Sequence, residues 1–524
     1  MPTESSWRKR LLPISLVLMA VAPPCWWIIA PSPSLQYHDC FDGFQCAVLE
    51  VPMDYHRLDG QGRRVAIAIT RLPAKVPVTD PRYGGVVFLN SGGPGGSGVY
   101  QVLRVGRSLQ TIVDAESDPG LGEEETSDRY FDMIGFDPRG VNNTTPGAIV
   151  LNTGCSSTLS AASGTKEALG EHINTPPHGK QGRAEQQQRD RLLGPDPLQA
   201  ILQRTRWKRG REKLLFWGCS YGTLLGSTFA TMFPDRINHV VLDGVIDADV
   251  YYGGGGPSGI VDADAIFDRF AIYCDQAGVT GCPFYIQGGP SAIREAYLTV
   301  ENALYIVSLP VTDLKIVHRS ALYEPLFAFP LLAKYVSELA HGNGSAMVDA
   351  KHRSRSPSCA LFGENELYAN TAILCADADY LPEMDQDGLT QYWHSLKADS
   401  ATIGDYWASL GLGCAGWNVT AKWKVPGPYG GYTSHPLFFV ANTLDPVTPL
   451  GGHTSMAAPC LYVNKSIRRY CQTRVSPPAE TVCEPDLRPL LGRTGMQDVK
   501  AGDQTLWEAT LEMYQQVATG RLPL

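Results

Sequence analysis

Short, continuously apolar runs separated by turn-forming residues mark the first half of the chain and return near its end. Six of these runs predict strands: VAIAITRLPA (65–74), GGVVFLN (84–90), YFDMIGFDPRG (130–140), KLLFWGCSYG (213–222), INHVVLDGV (237–245) and HPLFFVANTLDP (435–446). Runs that are apolar throughout are typical of parallel strands covered by helices on both faces. Polar residues follow several of them at the carboxyl end, where functional side chains of open α/β sheets lie. The pattern therefore predicts an α/β fold with a mostly parallel sheet.

The pattern changes between residues 251 and 425, where helical periods rich in aromatic residues replace the strand signals. AIFDRFAIYCDQAG and YEPLFAFPLLAKYVSELAHG are the clearest of these helices, and GGGGPSG (253–259) before them is typical of a hinge. We predict that 251–425 is an inserted, mostly helical cap between two parts of the core, 35–250 and 426–524. The polar segment 155–212 is expected to be rich in loops.

The first 34 residues have the pattern of an export segment. Basic residues 8–10 precede LLPISLVLMAVA, and no charged residue follows until Asp39. This arrangement predicts a signal peptide, with Ala20 and Ala22 suited to a cleavage site. The uncharged stretch continues through WWII (26–29), so an uncleaved membrane anchor is the alternative, although five prolines disfavour it. We predict a secreted protein, with a tether through the N-terminal segment as the second hypothesis.

The charge balance argues against nucleic acid as a partner. The formal net charge is −9 over 524 residues, and the one basic run, RTRWKRGR (204–211), is interpreted as a solvated loop. No H-E-x-x-H or paired C-x-x-C pattern is present, so neither a metal nor a cofactor is predicted.

The 13 cysteines fit an oxidising compartment. Candidate disulfides are Cys274–Cys282, Cys375–Cys414 and Cys460–Cys483, although sequence alone does not fix the connectivity. Glycosylation sequons, which matter only in an exported chain, occur at Asn142, Asn143, Asn343, Asn418 and Asn464.

Residues 218–222, Gly-Cys-Ser-Tyr-Gly, form a G-x-S-x-G motif between a predicted strand and a predicted helix. In that context the motif predicts a tight turn that presents the Ser220 hydroxyl above the sheet as a nucleophile. The helix that begins after Ser220 would favour the negative charge that develops during attack.

A second glycine-rich turn, SGGPGGSG (91–98), follows the strand VVFLN. It lacks the lysine and the spacing of a phosphate-binding loop, and a proline interrupts any G-x-G-x-x-G pattern. An oxyanion loop fits better, because a hydrolase of this kind needs one backbone N–H from the residue after the nucleophile and one from an earlier loop. The predicted donors are Tyr221 and Gly93, with Gly92 as the alternative to Gly93.

Asp445 and His453 complete a predicted triad. Asp445 ends a late strand, His453 is the only histidine after it, and the order Ser, Asp, His is that of α/β-hydrolases. Asp445 would orient the imidazole, and His453 would act as the base. His435 precedes the strand and is predicted to be structural.

These motifs resemble the secreted tripeptidyl-aminopeptidase-like serine hydrolases, relatives of prolyl iminopeptidase with an α/β-hydrolase fold. The matching stretches lie within about 40–490: CAVLEVPMDY, NSGGPGGSG, FDMIGFDPRGV, WGCSYGTLLGSTFATMFPDRINHVVLDGV, LGCAGW, TSHPLFFVANTLDPVTPL and TVCEPD. The resemblance implies Ser220 as nucleophile, Asp445 as acid and His453 as base. It also implies release of short peptides, or of proline, from free N-termini.

The chain departs from that family between the acid and the base. In the family a substantial segment with the last core strand separates them, whereas here only eight residues lead from Asp445 to His453. Eight residues span up to about 26–29 Å, so the two side chains can meet. A parallel crossover needs at least about a dozen residues besides the strand, which cannot fit here. The sheet is therefore expected to lack its terminal strand or to replace it with another segment.

Three alternatives follow from the same residues. An esterase or small-amide hydrolase would use the same nucleophile and the same oxyanion loop. A non-catalytic relative or an incomplete gene product would explain the shortened Asp445–His453 segment. Finally, Asp243 or Asp247, after VVLDGV, would be the rival for the acid.

Overall fold

A computed structural model describes residues 26, 28–55, 57, 59–117, 119, 127–146, 212–253, 258–304, 311–354, 365–377, 384–415, 417, 419, 425, 427, 429–449, 460–493 and 499–520. Several sequence predictions lie outside these ranges: the basic run 204–211, nearly all of the loop-rich segment 155–212, most of the hinge 253–259, Asn418 and His453.

The described strands are β1 (His38–Asp39), β2 (Gln45–Pro52), β3 (Arg64–Leu72), β4 (Tyr83–Asn90), β5 (Tyr130–Phe136), β6 (Leu214–Cys219), β7 (Ile237–Asp243), β8 (Phe438–Val440), β9 (Leu487–Arg488) and β10 (Gly492–Arg493). The first eight form one sheet in the order β1-β2-β3-β5-β4-β6-β7-β8. Pairing is antiparallel from β1 to β5 and parallel from β5 through β4, β6 and β7 to β8. The predicted mostly parallel sheet is confirmed.

The described helices are α1 (Gly98–Val113), α2 (Tyr221–Met232), α3 (Ala248–Gly253), α4 (Ala263–Gly281), α5 (Pro290–Leu304), α6 (Val311–Tyr323), α7 (Pro325–Ala340), α8 (Ser345–Ser354), α9 (Asn365–Asp377), α10 (Gln386–Asp399), α11 (Gly404–Leu412), α12 (Leu461–Thr473) and α13 (Gln504–Gly520). Helices α1, α12 and α13 pack on one face of the sheet, and α2 packs on the other. Strands β4 and β5 are buried throughout, as continuous apolar runs require.

The predicted strand at 435–446 is much shorter than expected. Only Phe438–Val440 is extended, and these three residues pair with β7. In the described part of the chain β8 ends the sheet, and Phe439 is 57% exposed. A strand with a neighbour on one side only has half of the usual ladder to extend it, which explains the short pairing.

Helices α4–α8, α10 and α11 share an apolar core of their own, which includes Phe267, Phe270 and Phe329. These helices lie within the predicted cap, although the boundaries proposed for it at 251 and 425 remain a prediction. Among the cysteines in the described ranges, four pairs are joined: Cys40–Cys46, Cys274–Cys282, Cys375–Cys414 and Cys460–Cys483. The three pairs proposed from sequence are among them.

The first described residues belong to the core. Trp26 and Ile29 are each 7% exposed, and the Trp26 indole Nε1–H donates to the Ile69 carbonyl at 3.1 Å. Most of the predicted export segment, residues 1–25, lies outside the described ranges. In the part that the structure covers, no helix has both the length and the apolar character needed to cross a bilayer.

Candidate active site

Ser220 stands on the sharp turn that the sequence predicted between β6 and α2. Its φ of 54° and ψ of −119° are unusual for a residue other than glycine. Two bonds hold this conformation, since the Ser220 N–H donates to the Asp243 carbonyl and the Thr223 N–H donates to the Ser220 carbonyl, both at 2.8 Å. The turn therefore places Ser220 at the carboxyl edge of the parallel strands, where an exposed nucleophile is expected.

The glycine-rich loop after β4 lies against this turn. Gly92 has φ of 84°, and a Cβ built on it would lie 2.4 Å from the Cys219 carbonyl oxygen and 3.1 Å from the Tyr221 nitrogen. Only glycine allows this approach. The Gly92 N–H donates to Asn90 Oδ1 at 3.0 Å, and the Gly92 carbonyl accepts from the Gly96 N–H at 3.1 Å. The loop is thus fixed beside the residue that follows the nucleophile.

Both predicted oxyanion donors are backbone N–H groups of this region. Tyr221 is the first residue of α2, and the first N–H groups of a helix have no partner within it. Gly93, with φ of 112°, follows Gly92 in the adjacent loop. The positive end of the α2 dipole adds to a local potential that favours an anion.

Asp445 is 6% exposed and its carboxylate is held from several sides. Its Oδ1 accepts from the N–H groups of Val447 at 3.0 Å and Thr448 at 2.7 Å, and its Oδ2 accepts from Asn442 Nδ2 at 3.0 Å. The Asp445 N–H donates to Asp262 at the start of α4 at 3.2 Å. These contacts fix the orientation of the carboxylate and connect its loop to the helices of the cap region.

The Asp445 loop reaches the nucleophile turn. A Cβ built on Gly244 would lie 3.3 Å from Thr448 Oγ1 and 3.8 Å from the Ser220 nitrogen. The Gly244 N–H also donates to the Val440 carbonyl at 2.9 Å. The sheet therefore brings the predicted nucleophile and the predicted acid to the same edge, although more than 200 residues separate them in sequence.

The two rival acids have different surroundings. Burial at the end of β7 raises the pKa of Asp243 to about 6, and the charge of Asp445 acts in the same direction. A carboxylate whose charge is disfavoured by desolvation and by a neighbouring carboxylate is less suited to stabilise an imidazolium than Asp445, which three donors hold. Asp247 is exposed, and its Oδ1 accepts from the Val250 N–H at 2.9 Å. Asp247 therefore caps the short helix α3.

The histidines are separated by the fold. The Nδ1 of His435 lies 2.9 Å from the Ile237 carbonyl, at the amino end of β7 and at the opposite edge of the sheet from Ser220. This contact fits the structural role predicted for His435, which stays a prediction. Since His453 lies outside the described residues, its role as base stays a prediction.

Helix α9 contacts the site at two points that no sequence pattern predicted. The Asn370 Nδ2–H donates to the Pro94 carbonyl in the glycine-rich loop at 2.9 Å, and the Tyr221 hydroxyl donates to Asp377 Oδ2 at 3.0 Å. No motif or spacing marks these residues, because the second contact joins positions 156 residues apart.

A cavity of about 440 Å³ lies elsewhere, at the amino ends of β4, β5 and β7, where Tyr83, Arg129, His239 and Arg474 line it. The opposite edge of the sheet holds Ser220, so this cavity is separate from the candidate site. Over the described ranges, no group of three or more His, Cys, Asp and Glu side chains is arranged to hold a metal ion.

Comparison with known proteins agrees with this geometry. A family model described as "TAP-like protein" matches residues 399–461, which include Asp445 and His453. The chain is 28% identical to serine protease Hip1 of Mycobacterium tuberculosis over 79% of each chain. It is 24% identical to a tripeptidyl aminopeptidase of Streptomyces lividans, over 78% of this chain and 74% of that one.

Among solved structures, juvenile hormone epoxide hydrolase from the silkworm Bombyx mori aligns with 77% of this chain and 64% of its own, at 12% identity. The TM-score of 0.26 is too low for that likeness to support an argument. The fold therefore rests on the strand order and the family match, and these confirm the α/β-hydrolase prediction. The chain thus has an α/β-hydrolase fold with a TAP-like match at 399–461, and it is a homologue of two hydrolases, the serine protease Hip1 and a tripeptidyl aminopeptidase.

Proposed function

We propose that this protein is a serine exopeptidase that releases short peptides, or proline, from the free N-termini of peptide substrates. The observation that carries the proposal is the joint placement of Ser220, the Gly92–Gly93 loop and Asp445 at one edge of the sheet. The names of the homologues, a serine protease and a tripeptidyl aminopeptidase, favour peptides over other acyl substrates.

In the proposed reaction Ser220 attacks the scissile carbonyl carbon while His453 takes the proton of its hydroxyl group. The carbonyl oxygen becomes an oxyanion that accepts hydrogen bonds from the N–H groups of Tyr221 and Gly93. His453 then gives the proton to the leaving amine, and an acyl-enzyme remains on Ser220. Water, activated by the same histidine, hydrolyses the ester, and Asp445 orients and stabilises the imidazolium in both steps.

The helices at 251–425 would limit the length of the substrate by covering the carboxyl edge of the sheet. Two contacts of α9 support this role: Asn370 donates to the Pro94 carbonyl in the glycine-rich loop, and Asp377 accepts from the Tyr221 hydroxyl. A free N-terminal amine would need a carboxylate partner within the cap.

We also propose that the chain is exported and works outside the cytoplasm. The four disulfides of the described region suit an oxidising compartment. Cleavage after Ala22 would leave the buried Trp26 with the folded chain, which favours secretion over the alternative membrane tether. The sequon at Asn464 is not available in the folded state, because this residue is 5% exposed and its Nδ2 donates to Thr510.

A test of the proposal combines active-site labelling with substrate comparison. The expressed protein is treated with a fluorophosphonate probe, with Ser220→Ala as the control, and its rates are measured on tripeptidyl-arylamides, prolyl-arylamides and simple aryl esters. We expect labelling that requires Ser220 and turnover of at least one arylamide.

The other possible results of this experiment each contradict a different part of the proposal. If the protein turns over only the esters, it is an esterase that uses the same site and not an exopeptidase. An N-acetylated tripeptidyl-arylamide that is cleaved as fast as the free amine would contradict the requirement for a free N-terminus. Absence of labelling at Ser220 would show that the shortened chain is not catalytic.

A further inference from the structure

Helix α9 contacts both loops that would supply the oxyanion donors. Its middle touches the glycine-rich loop after β4, and its last residue, Asp377, touches Tyr221 at the start of α2. These two loops come from separate parts of the chain and approach each other beside Ser220. A single helix that holds both can therefore set the distance between the two backbone N–H groups.

The contact with Tyr221 is a partly buried hydrogen bond. The Tyr221 hydroxyl donates to Asp377 Oδ2 at 3.0 Å, and Tyr251 of α3 donates to the same oxygen at 3.2 Å. Asp377 is 4% exposed, and burial followed by the Asp377 charge raises the pKa of Tyr221 well above its usual value. The hydroxyl therefore keeps its proton and acts as a donor to a carboxylate, which is a strong type of hydrogen bond.

The contact with the glycine-rich loop is equally close. The Asn370 Nδ2–H donates to the Pro94 carbonyl at 2.9 Å, and Pro94 directly follows Gly93. A Cβ built on Gly95 would lie 2.7 Å from the Asn370 nitrogen. Backbone thus lies against backbone here, so a shift of α9 would move the loop that carries the Gly93 N–H.

Helix α9 is itself held firmly. Ala369 and Ile373, each buried, pack with Val141 and against Tyr221. The Cys375–Cys414 disulfide joins the helix to the turn after α11. The helix is therefore held by a disulfide on the cap side, and by apolar packing and two hydrogen bonds on the side of the core.

We propose that Asp377 and Asn370 are positioning residues that hold the Tyr221 and Gly93 N–H groups at the separation an oxyanion requires. The inference rests on the proposed function, because it assigns the oxyanion donors to those two residues. The carboxylate of Asp377 acts through the Tyr221 side chain, and the amide of Asn370 acts through the Pro94 carbonyl.

This role predicts a particular kinetic defect. Oxyanion donors stabilise the transition state more than the bound substrate, so loosening them lowers kcat and leaves KM nearly unchanged. Loss of one donor costs about 10²–10³ in rate, and a displaced donor costs less. We expect Tyr221→Phe and Asn370→Ala each to lower kcat about 10-fold, and the double variant to lower it further.

The experiment measures kcat and KM on the arylamide that the wild type cleaves best, together with the inhibition constant of the matching peptide aldehyde. The aldehyde forms a tetrahedral adduct with Ser220 whose oxygen occupies the oxyanion site, so its affinity should fall in parallel with kcat. Asp377→Asn keeps an oxygen acceptor for the Tyr221 hydroxyl, and it should retain more activity than Asp377→Ala.

Tyr297→Phe is the matched control, because the Tyr297 hydroxyl makes a buried hydrogen bond of 2.7 Å with His318 inside the cap, away from Ser220. It should lose thermal stability as Tyr221→Phe does, yet keep kcat and aldehyde affinity. Unchanged kcat and aldehyde affinity in both Tyr221→Phe and Asn370→Ala, or an equal loss in Tyr297→Phe, would overturn the proposal.

Failure of the proposed function gives a different result. If no arylamide is cleaved, the rate of fluorophosphonate labelling replaces kcat, because the phosphonyl oxygen enters the same oxyanion site. Slower labelling of the two variants would then support the positioning role in a hydrolase other than an exopeptidase, and equal labelling would contradict it. If the wild type shows no labelling at Ser220, both proposals are wrong.

Discussion

At the residue scale, Asp445 and Asp243 are two carboxyl groups at one edge of the sheet with opposite surroundings. Three donors hold the carboxylate of Asp445, two of them backbone N–H groups of its own loop. Asp243 ends β7 and is partly exposed. Desolvation of its carboxyl group, with a smaller effect of the Asp445 charge, raises its pKa to about 6, although a hydrogen bond with Trp217 acts against this. Both residues lie at or just after the carboxyl end of a strand, so the three donors to Asp445 and the raised pKa of Asp243 distinguish the better acid.

Asp445→Asn should lower kcat by about 10⁴, as removal of the acid does in serine-protease triads, with little change in folding. Asp243→Asn should keep kcat at pH 8 within a few-fold, because it removes a charge that has no place in the proposed reaction. The measurement is kcat of each purified variant beside the wild type. If the Asp445→Asn variant stays active and the Asp243→Asn variant is inactive, Asp243 and not Asp445 is the acid of the triad.

The same carboxyl group predicts how stability depends on pH. The folded pKa of Asp243, about 6, lies above its ordinary value of 3.8, so the folded state binds this proton more tightly than the unfolded chain does. The resulting stabilisation is complete below about pH 4 and is lost as the pH rises through about 6. Asp243→Asn should therefore raise the Tm at pH 8 more than at pH 5.

Asp42→Asn is the control for that measurement, because the Asp42 side chain is fully exposed. In Asp42→Asn the difference between the Tm at pH 5 and the Tm at pH 8 should equal that of the wild type. Burial also raises the pKa values of Asp137 and Asp114 to about 6. The stability of the Asp243→Asn variant should therefore still depend in part on pH. A Tm gain in Asp243→Asn that is equal at both pH values would contradict the prediction.

At the element scale, the N-terminal segment from Trp26 is part of the folded core. Trp26 packs against Phe41 with ring centroids 5.5 Å apart and donates to the Ile69 carbonyl. Trp26→Ala should cost about 3–5 kcal/mol of unfolding free energy, measured by urea denaturation. Ile28→Ala, at a side chain that is 65% exposed, should change it by about 0.5 kcal/mol or less.

The same packing predicts where an exported chain begins. Removal of Trp26 would expose the core, so cleavage should occur before it, near Ala22. Mass spectrometry of the secreted protein identifies its first residue. A mature N-terminus beyond Ile29 would show that this packing is not needed in the working protein.

Strands and turns could be predicted from the sequence where a single local pattern determines them. The buried strands β4, β5, β6 and β7 follow continuous apolar runs, and the turn at Ser220 follows from its glycines. The short β8 was not predictable, because its length depends on whether a further strand pairs with its free edge. The contacts of α9 could not be predicted either, because they join the helix to loops far away in sequence and no local pattern encodes such contacts.

At the scale of the whole molecule, the sheet ends where the family resemblance places a further strand. Within the described ranges β8 pairs with β7 alone, and Phe439 on it is 57% exposed. The eight residues from Asp445 to His453 leave no room for another strand and its crossover. A base carried by a loop without that support would sample positions away from Ser220, and an error of about 1 Å costs roughly 10²-fold in rate.

Replacing residues 449–452 with a longer segment that carries the strand implied by the family resemblance tests this directly, and it keeps Val447 and Thr448, whose N–H groups hold Asp445. The added strand would pair with β8, cover Phe439 and hold His453 from a fixed element, so kcat should rise by about 10-fold or more. Tm should rise as well, because apolar surface is buried. The same segment with its strand residues replaced by Gly and Ser is the control for length alone. Equal kcat in the chimera, the control and the wild type would show that eight residues suffice to place the base.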